Sequence, residues 1–263
     1  MAYAASVALG YLSHCERAGL SLSGRRVLEL GPGPDLGPAL VLAGSGAEVH
    51  VADPYLHAWD PEWHPPLYAA LAEHLEREHP QLPTSALRDA ARREDTKGLV
   101  RAHRLPVWRL GRAQGLPDAS LDLCLSNAVL EHLTDVPAGI RRLARLTRPD
   151  GLGLHQVDFR DHRDFERPLE HLTDSWLQQR WRSLRHRGAL GHPWRSVHYA
   201  RAFEQAGFRI DQFDANLHAA PDYLRDLLGR CRRQWLTLPR PALSTLSGHF
   251  VVRRRATRSA SAS

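Results

Sequence analysis

Two groups of residues in this chain have types and spacing that suit chemistry. The first is Gly31-x-Gly33-x-x-x-Gly37, directly after the β-rich run Arg25-Arg26-Val27-Leu28-Glu29-Leu30. Glycines at a strand-to-helix turn let the backbone bend sharply and approach a ligand, and the next helix N-terminus offers unpaired N–H groups. The third glycine comes one residue later than in the dinucleotide fingerprint, and no Lys-Ser/Thr follows, which excludes a P-loop. A Gly/Pro-rich turn with no ligand is the plain alternative. Asp53 argues against that alternative. It ends a second β-rich run, Glu48-Val49-His50-Val51-Ala52-Asp53, 20 residues after Gly33. There a carboxylate sits beside the glycine loop and can accept from both hydroxyls of a ribose, although it can also cap a helix before Pro54. Loop and acid together fit a nucleoside-containing cofactor.

The second group is His155-Gln156-Val157-Asp158-Phe159-Arg160-Asp161-His162. Strand alternation puts Gln156 and Asp158 on one face and His155 and Val157 on the other. Asp158 falls at the carboxyl end of that strand, where open α/β sheets place ligands. Asp158, Asp161 and His162 can form a base dyad, bind a sugar hydroxyl or hold a divalent metal, or they can be a solvated loop. Spacing fixes no third strong ligand, so no metal site is assigned. His132 follows Glu131 at the start of the helix after Leu121–Ser126. It is a candidate base for a hydroxyl proton, with capping of that helix as the structural alternative. Glu131 is read as accepting from backbone amides of a neighbouring loop.

These residues need a frame. An N-terminal helix is expected within residues 1–21. Strand, glycine loop, helix (Pro38–Ala43) and second strand form a βαβ unit, which implies parallel strands and a right-handed crossover. Residues 54–104 lack an obvious strand, contain a helical segment at Leu67–Glu78, and read as an insertion over the sheet. Strands are expected at Pro106–Leu110, Leu121–Ser126, Leu152–Asp158, from Gly207, and at His249–Val252. Helices are expected at Val136–Leu146 and Tyr199–Ala206, with a turn at Pro149-Asp150-Gly151. Alternating strands and helices argue for a doubly wound α/β sheet. In residues 159–198, Trp176, Trp181 and Trp194 stand among Arg180, Arg182, Arg185, Arg187 and Arg195, with Arg201 just beyond. This segment reads either as an acceptor lid with aromatic platforms and phosphate-reading arginines or as a basic surface helix. The organisation expected is one domain, 1–252, followed by a disordered basic tail, 253–263.

The chain has 263 residues, 43% of them apolar and 24% charged, an ordinary globular balance. No apolar run approaches the roughly 18 residues that span a bilayer. The net charge of +6 rests almost wholly on arginine, since Lys97 is the only lysine. Nine arginines and one aspartate fall in residues 225–263, so the body of the protein is near neutral. That distribution weakens a nucleic-acid reading of the overall charge. Cys15, Cys124 and Cys231 are isolated, without a CxxC zinc pattern, and fit a reducing cytoplasm. The first residues lack a basic n-region and a cleavage site, so they read as a helix, not a signal peptide.

At this point the chain resembles the class I S-adenosylmethionine-dependent methyltransferases, and within them the small-molecule subgroup called type 11. The residues that carry the likeness are Val27-Leu28-Glu29-Leu30-Gly31-Pro32-Gly33, Val51-Ala52-Asp53, the string Leu116 to His132, and Arg142-Leu143-Ala144-Arg145-Leu146-Thr147-Arg148-Pro149-Asp150-Gly151. The resemblance implies a Rossmann-like doubly wound seven-stranded sheet with its last strand antiparallel, supplied by His249–Val252, and helical insertions after strands two and five. It implies S-adenosyl-L-methionine as cofactor. Glu29 and the Gly31–Gly33 backbone would hold its methionine part, Asp53 its ribose, and Asn127 and Ala128 would line the methyl-donor side. Arg112 stands where relatives often carry an acid for adenine, so that contact would pass to a backbone carbonyl or to Gln114. The expected function is methyl transfer to a small molecule or glycan, to oxygen, with His132, Asp158 or His162 as base and an anionic sugar or secondary metabolite as acceptor. A nucleic-acid methyltransferase and a non-catalytic cofactor-binding protein are the competing readings. The first lacks the Asn/Asp-Pro-Pro-aromatic motif at Ser126-Asn127-Ala128-Val129 that holds a flipped base.

Overall fold

The computed structural model describes residues 1–56, 58–105, 110, 115–175, 177–179, 181 and 190–256. Seven strands form one sheet: β1 (Arg26–Leu30), β2 (Glu48–Asp53), β3 (Val100–Arg104), β4 (Leu121–Asn127), β5 (Thr147–Asp158), β6 (Phe208–His218) and β7 (Thr245–Arg254). Their order is β3-β2-β1-β4-β5-β7-β6. The first five run parallel, and β7 runs antiparallel to both β5 and β6. This is the doubly wound sheet with an antiparallel last strand expected from the motifs. Strand order reverses between β1 and β4, which places a crevice at their carboxyl ends.

Both faces of the sheet are covered. Val27, Val49, Val51, Leu123, Leu125 and Leu154 pack against α1 (Ala2–Arg17), α2 (Gly37–Gly44), α3 (His64–Glu78) and α4 (Ser85–Arg93). Leu28, Leu30, Cys124, Val157 and Phe250 pack against α5 (Val136–Leu146) and α6 (Ser196–Gln205). With apolar residues on both sides, β1 and β4 are fully buried runs, and polar groups can emerge only at strand ends. A satellite core of Leu169, Leu172, Leu227, Trp235 and Leu246 anchors the segment after β5 to α7 (Pro221–Arg230).

Three sequence expectations change. The segment 54–104 does carry helices, α3 and α4, but it ends in β3, which pairs with β2 from Val49↔Val100 to Asp53↔Arg104. β3 is an edge strand in which only Val100 is buried, so Val-Arg-Ala-His-Arg gives a weak apolar signal. The stronger run at Pro106–Leu110 drew the expectation instead. Pro106–Arg109 lie outside the described residues, and Leu110 is a buried residue of the second core. The turn at Pro149-Asp150-Gly151 is a bulge inside β5, where Thr147 faces Leu121 and Leu152 faces Leu123, with Asp150 at φ +61°. At the other end, the basic tail starts later than expected. Arg253 and Arg254 belong to β7, opposite Leu152 and Phe208. Arg253 binds Asp211 at 3.0 Å, and Arg254 donates to the carbonyls of Ala144 and Gly207. Residues 257–263 lie outside the described residues.

Arg195 also departs from its expected role. It is 0% exposed, and its guanidinium donates to the carbonyls of Phe159, Ala242, Leu243 and Thr245. It ties the segment after β5 to the start of β7. Burial lowers it to about 10, which leaves it charged at neutral pH. Removing it strands several buried acceptors, each costing roughly 1–3 kcal/mol. Arg195→Met is expected to lower stability by on the order of 3 kcal/mol, read as a reduced urea midpoint with an unchanged slope.

Candidate functional site

The site is assembled at the carboxyl ends of β1, β2, β4 and β5. Register fixes the neighbours: Leu30 lies opposite Ala52 and Ser126, and the Gly31 amide donates to Ala52 O at 2.9 Å. Gly31 and Asp53 are therefore side by side. Gly31 has φ +68° and Gly33 φ +77°, a region L side chains rarely adopt. A Cβ on Gly31 would collide with Val129 just after β4, whereas one on Gly33 would meet nothing within 4 Å. The first glycine thus lets two strand ends close up, and the second leaves open room above the loop. Gly37 plays a packing part, since a Cβ there would press on Ala4 and Leu71 at 3.1 Å.

Asp53 is 6% exposed and accepts from the Tyr55 amide at 2.5 Å. The next helix starts only at His64, so Asp53 shapes a turn and does not cap a helix. Glu29 is 2% exposed, on the sheet face covered by α1. Among the described residues neither its Oε2 nor the Tyr11 hydroxyl has a partner at close hydrogen-bond distance, although the two groups interact with each other. Burial raises the Glu29 carboxyl to about 8, against the opposing influence of Tyr11. A buried carboxylate with an orphaned oxygen beside an open glycine loop suits a ligand that brings a cationic donor. Gln114 and Arg112 lie outside the described residues.

A cavity of about 410 Å³ opens between α1 and the ends of β4, β5 and β7. Asn127 and Ala128 line it from β4, Gln156 and Asp158 from β5, and Tyr3 and Tyr11 from α1. Asn127 donates to the Tyr3 hydroxyl at 2.7 Å, so the helix spans the opening. The alternation expected for β5 holds: Gln156 and Asp158 face the cavity, while His155 turns the other way, bonded to Ser126 and stacked on Phe203.

The fold brings together some of the expected polar residues and separates others. Asp158 Oδ2 lies 3.7 Å from His162 Nε2, and the His162 and His132 ring centroids are 5.0 Å apart. Both Asp158 oxygens accept from Arg160, at 2.7–3.1 Å. Burial opposes ionisation of Asp158, but His162 and Arg160 outweigh it and hold the carboxyl well below its ordinary range. Asp161 is not part of this group. It faces Arg163 and His171, and its amide donates to Pro168 O. The cap of α5 is Asp135, which accepts from the Ala138 amide at 2.9 Å, and not His132. Glu131 is 0% exposed and does accept from a neighbouring backbone, the Asp158 amide, at 3.3 Å. Of the expected lid, Trp176, Arg180, Arg182, Arg185 and Arg187 lie outside the described residues. Trp181 is exposed, and Trp194 packs on Tyr199. Sequence reasoning missed Tyr3 and Tyr11, whose helical spacing gave no sign that they overhang a strand end.

A family profile described as a methyltransferase domain matches residues 9–212. A malonyl-[acyl-carrier protein] O-methyltransferase of Serratia marcescens is 36% identical over 63 residues, which are 24% of this chain and 22% of that protein. The chain thus spans about a fifth of that relative's length. Among solved structures, an S-adenosylmethionine-dependent methyltransferase of Mesorhizobium loti matches with TM-score 0.50 and 18% identity, over 90% of this chain and 95% of the other. A Haemonchus contortus phosphoethanolamine N-methyltransferase 2, solved with S-adenosyl-L-methionine, matches with TM-score 0.51 and 15% identity, over 93% of this chain and 52% of the other. At these identities the structural matches speak for the fold.

The Glu29 geometry has a measurable consequence. Its carboxyl moves from an ordinary value of 4.5 to about 8 on folding. Between those values the folded ligand-free protein holds a proton that the unfolded chain releases, so stability falls as pH rises across that window. Glu29→Gln is expected to flatten this part of the pH–stability curve, measured by thermal melts from acid to mildly alkaline buffer.

Proposed function

This chain belongs to the class I methyltransferases that use S-adenosylmethionine, and we propose that it transfers the methyl group to an oxygen of a small molecule or glycan. The donor supplies a methyl already activated on a sulfonium sulfur, so the protein's task is to align the acceptor in line and exclude water. The observation that carries this reading is the cavity of about 410 Å³ lined by Asn127, Ala128 and Asp158 at the switch point of the sheet.

Glu29 and the Gly31–Gly33 backbone hold the methionine end. The orphaned Glu29 oxygen and the free space above Gly33 support that assignment. Asp53, fixed beside Gly31, takes the ribose hydroxyls, and Asn127 and Ala128 line the methyl side. At the other wall His162 accepts the acceptor's hydroxyl proton. Asp158 orients the imidazole and stabilises its charged form, with His132 adjacent. The low proton affinity of Asp158 suits this supporting part better than that of a base. The O-methyltransferase relative supports oxygen as the acceptor atom.

An anionic acceptor loses support from two of the arginines near the site. Arg195 is buried in a structural role, and Arg160 is engaged by Asp158. A nucleic-acid acceptor loses support because Arg253 and Arg254 are strand residues with partners of their own. Three free cysteines fit a cytoplasmic protein. Among the described residues no helix is long and apolar enough to cross a membrane.

Two variants test the division of labour. Asp53→Ala is expected to weaken S-adenosylhomocysteine binding at least tenfold by titration calorimetry. Asp158→Asn is expected to keep that affinity within about twofold while losing on the order of a hundredfold in methyl transfer, followed as S-adenosylhomocysteine release with a fractionated small-molecule extract. Equal binding by wild type and Asp53→Ala would overturn the cofactor assignment. Undiminished transfer by Asp158→Asn would overturn the wall assigned to the acceptor.

A further inference from the structure

Behind the cavity wall, the fold closes three strong ligands onto one point. Glu131 and His132 come from the one-turn 3₁₀ helix after β4, and His162 comes from the segment after β5. One ligand atom from each lies within 4.8 Å of the other two. In sequence these residues are thirty positions apart, so spacing alone offered only Asp158, Asp161 and His162, of which Asp161 turns away.

The group carries more than proximity. Glu131 is 0% exposed; its Oε1 accepts from the Asp158 amide, and its Oε2 has no hydrogen-bond partner among the described residues. Among the described residues His162 Nε2 is also buried with no partner at hydrogen-bond distance, its ion-pair partner Asp158 Oδ2 standing 3.7 Å away. Arg160, whose charge is felt at Glu131, places its guanidinium on both oxygens of Asp158. A buried carboxylate oxygen with no donor is costly, and a cation resolves it. The far side is walled by Gly191, where a Cβ would stand 3.7 Å from Glu131 and 3.8 Å from His162, and the His192 amide donates to Glu131 O at 2.9 Å.

We propose that Glu131, His132 and His162 bind a divalent first-row transition ion, of the zinc type, beside the acceptor end of the cavity. Two imidazoles and one carboxylate suit such an ion and leave a coordination position for water or a substrate oxygen. Asp158, which lines the cavity and lies 3.7 Å from His162, marks the side on which that position opens. The inference rests on the acceptor site proposed above and deepens it. With the ion bound, His132 and His162 would act as ligands, and the base role given to His162 above would pass to the metal, which would lower the proton affinity of an acceptor hydroxyl so that its proton leaves to water in the cavity.

Titration of Zn2+ into tag-free protein, paired with the absorption spectrum of the Co2+ form, tests this without an acceptor. One ion per chain is expected. Glu131→Gln and His162→Ala are each expected to weaken it at least tenfold and to abolish the Co2+ d–d bands, while S-adenosylhomocysteine binding stays within about twofold of wild type. That last titration reports on fold and cofactor site separately, so failure of the metal claim is distinguishable from failure of the methyltransferase reading. No stoichiometric Zn2+ or Co2+ binding, or binding that both variants retain, would overturn the proposal. A result of the second kind would assign the ion to other histidines among the sixteen in the chain.

Discussion

The structure turns on a single electrostatic constraint: four carboxylates are buried along one edge of a sheet whose faces are closed to water. Glu29, Asp53, Glu131 and Asp158 are each 7% exposed or less. All stand at or just beyond the carboxyl ends of β1, β2, β4 and β5. Asp158 is held by the Arg160 guanidinium. Burial, with a neighbouring carboxylate (Asp35 and Asp158 respectively), raises Glu29 and Glu131, while Asp158, with partners, is lowered. An edge so rich in acid is poorly solvated without ligands. A cofactor bearing an ammonium and a sulfonium answers part of that demand. The proposed divalent ion answers the part at Glu131, which the cofactor site does not reach.

This constraint accounts for features that would otherwise look unrelated. The first glycine of the loop has no side chain because β1 must approach Val129 closely enough to bring the acidic ends together. Helix α1 lies across the edge, placing Tyr11 beside Glu29 and Tyr3 on Asn127. The segment after β5 is held by Arg195, whose guanidinium donates to carbonyls and lies over the Phe159 ring. Its fixed course sends His162 back towards Glu131 and Asp158. A structural cation thus sets the geometry of a group of acids it never touches.

Most of the frame around the proposed cofactor side was legible in the sequence. A strand, a glycine loop, a helix and a strand ending in Asp53 are local features, and one βαβ unit fixes their mutual placement. The alternation that turns Gln156 and Asp158 to the cavity was equally local. What was not legible depended on long-range packing. β3 is a polar edge strand with only one buried residue, so its pairing with β2 leaves little mark on composition. Arg195 looked like a ligand-reading cation because nothing nearby in sequence announces the carbonyls of residues 242–245. The grouping of Glu131 and His132 with His162 needs β4 and β5 to be neighbours, and the divergence of Asp161 needs the loop to bond Pro168.

The account is tested most directly by a crystal structure of the protein grown with S-adenosylhomocysteine and Zn2+. It predicts the nucleoside over the glycine loop with its ribose on Asp53, the amino-acid end towards Glu29, and a metal peak between Glu131, His132 and His162. A cofactor bound away from the Gly31–Asp53 edge would contradict the central claim, because Glu29 and Asp53 would then lie outside the cofactor site.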